Sequence, residues 1–152
     1  MKQLLLIFHS QSRRSEALAL NCYSGAVAAE EVAVRLLRAV DADADDLLQA
    51  DAVVFFTPEN FAAIAGGMKD FLDRVFYPME RAEKRALPYA LVISAGNAGS
   101  STVQQFERIM GGIAAKPIQA AQIIHGKPGT QELAAMQEMG EALAVGLQMG
   151  VF

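Results

Sequence analysis

Ser10-Gln11-Ser12-Arg13-Arg14-Ser15-Glu16 puts three hydroxyls and two guanidinium groups into one short stretch. Hydroxyls, backbone N–H groups and the positive end of a following helix dipole suit a dianionic phosphate. Arginine adds bidentate donors where its side chain turns inward. A Ser-rich helix cap with two solvated arginines is the alternative reading, and it leaves open whether Arg13 and Arg14 touch a phosphate. The stretch is neither a Walker loop nor a G-x-G-x-x-G turn, which argues against ATP hydrolysis and a standard dinucleotide turn.

Two further stretches carry groups that suit a ring-shaped ligand. In Thr57-Pro58-Glu59-Asn60-Phe61-Ala62, Pro58 directs the chain out of a strand, and Phe61 offers a flat apolar surface or a cap on the local core. Ser94-Ala95-Gly96-Asn97-Ala98-Gly99-Ser100-Ser101 holds two glycines and small side chains, which let backbone approach a ligand closely or simply turn into a helix.

The elements that must position these stretches alternate between two periodicities. Leu4–Phe8, Ala52–Phe56 and Tyr89–Ser94 are short, nearly continuous apolar runs, the pattern of strands covered on both faces. Val32–Leu37 is less cleanly apolar and fits a strand nearer an edge, and Ile118–Ile124 is expected as a fifth strand. Between them, Leu18, Cys22, Gly25 and Ala29 recur at helical spacing, with small residues that would bring the helix close to a sheet. Met68, Phe71, Leu72, Val75 and Phe76 mark a helix after Gly66-Gly67. Val103, Phe106, Met110 and Ile113 mark another, ending near Gly111-Gly112. A short helix is expected over Asp45–Gln49, and a last one capped by Thr130 and carrying Leu133, Met136, Leu143 and Leu147. Strands alternating with helices imply an α/β fold with a parallel sheet and helices on both faces. In such sheets ligands bind beyond the carboxyl ends of the strands at the switch in strand order. The three stretches follow the first, third and fourth strands, so they should meet at one crevice.

Bulk properties narrow the classes. The chain has 152 residues and is 53% hydrophobic, which fits one domain with a sizeable core. Lys+Arg number 13 against 17 Asp+Glu, a net charge of −4, which argues against nucleic acid or an anionic membrane as main partner. One cysteine permits no internal disulfide. The apolar run after Met1-Lys2-Gln3 is too short for a signal peptide or membrane span, so a soluble, cytoplasmic protein is expected.

At the level of family, the first stretch resembles the Ser-x-Ser-x-x-Thr/Ser phosphate loop of flavodoxins and flavodoxin-like reductases. Thr57-Pro58-Glu59, followed by Gly67-Met68-Lys69-Asp70-Phe71-Leu72-Asp73-Arg74, is similar to the matching stretch of NAD(P)H-dependent FMN reductases and related quinone reductases. The similarity runs through essentially the whole chain, read as residues 1–152 in a single flavodoxin-like domain. It implies a flavodoxin-like three-layer sandwich, a five-stranded parallel sheet of order 2-1-3-4-5, and bound FMN, with NAD(P)H as electron donor and a quinone, flavin or similar small acceptor. A flavodoxin-type electron carrier without NAD(P)H turnover is the alternative function. By the same resemblance Ser10, Ser12, Arg13, Arg14 and Ser15 would hold phosphate. Pro58, Glu59, Asn60 and Phe61 would lie along one side of the isoalloxazine, with Ser94, Gly96, Asn97 and Gly99 on the other. No catalytic side chain and no metal are called for, since the flavin carries the chemistry.

Other residues have plainer readings. His9 ends the first strand and reads as structural before it reads as a ligand contact. His125 follows the fifth strand and is expected to face solvent or a partner subunit. Cys22 falls on a buried stripe, as an inert thiol would. Asp41, Asp43 and Asp45 begin like a calcium loop, but Asp46 stands at its glycine position and Ala52 at its last ligand, leaving a solvated segment that starts a helix. Arg74, Arg81, Lys84 and Arg85 form a solvated basic face, with docking of a nicotinamide-nucleotide phosphate as the lesser alternative. Phe71, Phe76 and Tyr77 exceed one buried stripe, pointing to a homodimer or higher homo-oligomer, as in related flavin reductases. A phosphoacceptor regulator would need acidic residues where the chain has His9-Ser10 and Thr57-Pro58.

Overall fold

The apolar runs become strands because each is shielded on both faces. In chain order the elements are β1 (Lys2–Phe8), α1 (Arg14–Ala26), β2 (Val32–Arg38), α2 (Ala44–Gln49), β3 (Ala52–Asn60), β4 (Ala63–Ile64), α3 (Gly66–Arg81), β5 (Pro88–Ala95), α4 (Ser100–Gly112), β6 (Lys116–Pro117), β7 (Gln122–His125) and α5 (Thr130–Gln148). This computed structural model describes residues 1–83 and 86–152, so Lys84 and Arg85 of the basic cluster lie outside the described residues.

The sheet runs β2-β1-β3-β5-β6, with β7 also on β5 and β4 on β3. All pairings are parallel except β3 with β4. Counting β6 and β7 as the two halves of the fifth main strand, the order is the expected 2-1-3-4-5. Alternate residues of each central strand feed opposite layers. Leu4, Leu6, Val54, Phe56, Ala90 and Val92 face the layer of α1 and α5. Leu5, Ile7, Val53, Phe55, Leu91 and Ile93 face that of α2, α3 and α4. Phe55 anchors the second layer, its ring 6.4 Å from Phe71, 6.3 Å from Tyr89 and 5.0 Å from Phe106, centroid to centroid. Burying one such ring contributes about 1.5–3 kcal/mol. The edge strand β2 is only partly buried, as its mixed sequence predicts.

Four local expectations are corrected. The fifth strand is broken: Lys116 and Ile118 donate to the Leu87 and Tyr89 carbonyls at 2.9 and 2.7 Å on either side of Pro117, and pairing resumes only at Gln122. Residues 57–60 continue β3 instead of leaving the strand, and Pro58 sits opposite Ser94 in the parallel ladder. α5 is capped by Gly129, not Thr130, with the Glu132 carboxylate accepting the Gly129 N–H at 3.0 Å. The small residues of α1 serve α5 more than the sheet. A Cβ on Gly25 would lie 1.8 Å from the Gln137 carbonyl oxygen, and one on Gly140 1.9 Å from that of Cys22. The two helices therefore touch backbone to backbone. The acidic run behaves as expected for a helix start: Asp43 caps α2 by accepting the Asp46 N–H, and Asp46 accepts that of Asp43.

Candidate functional site

The carboxyl ends of β1, β3 and β5 lie side by side, and the three stretches meet there. The loop after β1 is held down at its start, where the His9 N–H donates to the Phe56 carbonyl at 3.0 Å. It ends at Arg13, which precedes α1 in the left-handed region (φ 66°). A non-glycine residue there stores strain of about 1 kcal/mol or more. No side chain caps the N-terminus of α1, so its first-turn N–H groups stay open at the positive end of the helix.

Two hydroxyls at the ends of this loop stand apart from the rest. The Ser10 and Ser15 Oγ atoms are buried and have no hydrogen-bond partner among the described residues. Ser15 is 2% exposed. A buried hydroxyl without a partner costs about 1–3 kcal/mol, so the loop is built to hydrogen-bond an acceptor brought from outside. A phosphate supplies several such oxygens. Arg13 and Arg14 are exposed and, with Ser12, turn to a different space. That space is a cavity of about 440 Å³ between the start of α1 and the β7–α5 loop, where Lys127, Pro128 and Leu133 complete its wall. On the other flank of the loop, a cavity of about 310 Å³ is bounded by Phe8, His9, Ser10, Arg38, Val40 and Gly67, among others.

The second stretch forms a hairpin. β3 and β4 pair antiparallel through Glu59–Ile64 and Asn60–Ala63, leaving Phe61 and Ala62 as a two-residue turn. Both have positive φ, 52° and 55°. Such a turn favours Asn-Gly, so Phe-Ala strains it. The Phe61 ring stands fully in solvent at the tip. Hydrogen bonds from the third stretch and α4 pin the hairpin in place. The Glu59 carboxylate accepts from Thr102 Oγ1 at 2.8 Å and from the Gly99 N–H at 3.3 Å. Ser101 Oγ and Gln105 Nε2 both donate to the Ala62 carbonyl. Asn60 Nδ2 donates to Gln11 Oε1 at 2.6 Å, tying the hairpin to the loop after β1.

In the third stretch, Gly96 and Asn97 are exposed at the lip of the crevice, whereas Ser94 is buried inside β5. Gly99 is buried at φ 75°, and a Cβ there would meet Ile123 at 2.7 Å. The structure thus brings all thirteen expected residues to one sheet edge but divides their work. Ser10 and Ser15 present unpartnered hydroxyls, Pro58, Phe61, Gly96 and Asn97 present surface, and Glu59, Asn60 and Gly99 brace the loops through the bonds above. Sequence reasoning passed over Gln11, Thr102 and Lys127. Lys127 follows the fifth strand at the same edge, so the strand-end rule extended by one strand finds it.

Remaining candidates fall outside the crevice or against it. Burial lowers the His9 pKa, and a Cβ on Gly67 would lie 2.3 Å from its ring, so the imidazole is wedged against backbone. Burial raises the Cys22 thiol to about 12, which leaves it unreactive. Arg74 does not form a free basic face: it donates to the Ala39 and Ala42 carbonyls and to Asp70. Of the α3 aromatics, Phe71 belongs to the core and Phe76 packs against it, leaving Tyr77 exposed. Among the described residues no group of His, Cys, Asp and Glu is arranged to hold a metal. No described helix is long and apolar enough to cross a membrane.

The family model for NADPH-dependent FMN reductase matches residues 37–128, more than half of the chain. The chain belongs to this family. The match takes in the β3–β4 hairpin, the third stretch and the start of the β7–α5 loop, while the loop after β1 precedes it and rests on its own geometry. Several solved structures share the architecture of this chain. A flavodoxin from the domain Archaea superposes with a TM-score of 0.83 at 18% identity, covering 96% of this chain and 99% of its own. The flavodoxin, WrbA-like protein from Agrobacterium tumefaciens gives 0.76 at 16% identity, covering 98% and 99%. The Flv1 flavodiiron core from Synechocystis sp. PCC6803 gives 0.81 at 17% identity over 98% of this chain but 36% of that one. At these identities the likeness shows the fold. No curated protein sequence matches the chain.

Proposed function

We propose that the chain is an FMN-dependent oxidoreductase that takes electrons from NAD(P)H and passes them to a quinone, flavin or similar small acceptor. The observation that carries the reading is the pair of buried, unpartnered hydroxyls of Ser10 and Ser15 beside an uncapped helix N-terminus. They fit the phosphate of FMN, and the family match supports the choice of cofactor.

Ser10 and Ser15, with the first N–H groups of α1, would hold that phosphate. The β3–β4 hairpin and the lip at Gly96-Asn97 would flank the ring. FMN, when bound, supplies two-electron chemistry between a nicotinamide and the acceptor. The protein contributes position. Glu59, Thr102, Ser101 and Gln105 lock hairpin and lip to each other, and the Asn60–Gln11 bond fixes both relative to the phosphate loop. A rigid frame of this kind keeps backbone donors aimed where charge develops on reduction.

The archaeal flavodoxin, matched over almost its full length, favours a second reading as an electron carrier without NAD(P)H turnover. Anaerobic mixing of the FMN-loaded protein with NADPH and NADH separates the two. Rapid bleaching of the flavin by either donor is the expected result. Bleaching by neither leaves the carrier, and failure to bind FMN in a titration overturns both.

A further inference from the structure

We propose that the loop after β1 is a flap, clasped shut by the bond between Gln11 and Asn60, that must open to admit or release FMN. This rests on the FMN reading above and adds the step that controls how fast the cofactor comes and goes. The two walls joined by the clasp are fastened unequally. The β3–β4 hairpin is fixed to α4 and the stretch before it: Glu59 accepts from Thr102 Oγ1 and the Gly99 N–H, and the Ala62 carbonyl accepts from Ser101 and Gln105. Gln105 Oε1 also accepts the Ile64 N–H at 3.3 Å. The loop has backbone bonds at its ends alone. The His9 N–H donates to the Phe56 carbonyl, and the Arg13 carbonyl accepts the Ala17 N–H, both at 3.0 Å. Between those anchors, among the described residues, the hydrogen bond of residues 10–12 is the one from Asn60 Nδ2 to Gln11 Oε1 at 2.6 Å. Gln11, Ser12 and Arg13 are exposed, and Ser10 Oγ has no partner among the described residues.

A segment with so few bonds opens at low cost, whereas the hairpin stays put. The backbone adds a bias of its own. Arg13 sits at the far end of the loop with φ 66°, and leaving that left-handed state relieves strain. The clasp therefore holds closed a loop whose last residue gains by moving. With the phosphate in the loop and the ring along the hairpin, the chain that joins them would pass between these two walls, and the clasp spans the same gap. Both clasp groups are uncharged amides, so the closed state depends little on salt. One neutral hydrogen bond shifts a closed-to-open ratio about 2- to 10-fold. The clasp is made without the cofactor and can be remade over it, so it should slow entry and exit by the same factor.

The test is stopped-flow mixing of the FMN-free protein with FMN, read by flavin fluorescence, with release followed on rapid dilution. Gln11→Ala should raise the association and release rates about 2- to 10-fold each, leaving Kd within about twofold. Asn60→Ala should raise the association rate as much, and the double variant no further than Gln11→Ala. A readout free of flavin accompanies it. Trypsin should cut the FMN-free variants between Arg13 and Arg14 faster by a similar factor, because cleavage follows the open population. Association rates that neither variant changes overturn the flap, as does a double variant whose effect is the product of the two single ones. A slower association or a weaker Kd for Gln11→Ala also overturns it, since Gln11 then holds the cofactor. The result is separable from that of the reductase reading. FMN bound and bleached by NADPH or NADH, at binding rates indifferent to the variants, keeps the reductase and removes the flap. Faster exchange in the variants, without bleaching by either donor, keeps the flap and removes the reductase. Failure of every form to bind FMN overturns both.

Discussion

Replacing Ser15 by alanine should separate two effects that usually travel together. Ser15 is 2% exposed, and its hydroxyl meets no partner among the described residues. Deleting it breaks no internal hydrogen bond and removes a buried unpartnered group, so the FMN-free chain should gain about 1–3 kcal/mol of stability, seen as a higher Tm. On the proposed reading the same hydroxyl would face a dianion in the complex, and a hydrogen bond to a charged group contributes about 1.5–3 kcal/mol. The Kd for FMN should therefore rise about 10- to 150-fold. The assays are quenching of flavin fluorescence for affinity and thermal melts with and without FMN for stability. Linkage supplies an internal check. With FMN at a hundred times the original Kd, ligand stabilisation of about 2.7 kcal/mol should fall to about 1.4 kcal/mol for a tenfold loss of affinity. A ligand-free variant destabilised by about 2 kcal/mol would show that the hydroxyl supports the fold. Unchanged FMN affinity would remove Ser15 from the phosphate grip and refute the argument from its burial.

Two further outcomes concern the frame. Gly140→Ala should cost about 3 kcal/mol or more, seen as a lower urea midpoint, because its Cβ would lie 1.9 Å from the Cys22 carbonyl oxygen, an atom of backbone. Gly146→Ala should be tolerated within about 1 kcal/mol, since its Cβ meets only the Phe152 ring near the chain end; equal costs would contradict the close helix contact. Ala62→Gly should stabilise the protein by about 1 kcal/mol, raising Tm about 2–4 °C, because glycine adopts φ 55° without strain. A fall in Tm would show that the turn is not strained.

The fold was legible where burial is complete on both sides. Leu4–Phe8, Ala52–Phe56 and Tyr89–Ser94 are apolar throughout because helices cover both faces, and they became the three central strands. β4 was not legible: it is two residues long and its turn is Phe-Ala, which carries none of the usual hairpin chemistry. Gly25 was read as a small residue against a sheet because periodicity identifies a buried face and not its neighbour. That neighbour, Gln137, comes from the far end of the chain. For the site, the rule of strand ends brought the three stretches together. It did not say which hydroxyls turn inward, because the separation of Ser10 and Ser15 from Arg13 and Arg14 follows from the left-handed turn at Arg13. A backbone state of that kind has no signature in an arginine.

The contact between Gly25 and Gln137 also bears on how the molecule is made. Leu18, Cys22 and Ala26 on α1 are covered in part by Met136, Gly140 and Leu143 on α5, which is synthesised after every other element of this layer. While the ribosome still holds that segment, the first layer has a bare apolar flank, the kind of surface that recruits chaperones or other nascent chains. Residues 127–133 leave the exit tunnel in the same interval, so the cation-lined cavity closes with the layer beneath it. Loss of α5 through a premature stop codon would therefore leave β1, β3 and β5 translated in full yet yield a sticky intermediate, fit for degradation before it could meet a flavin.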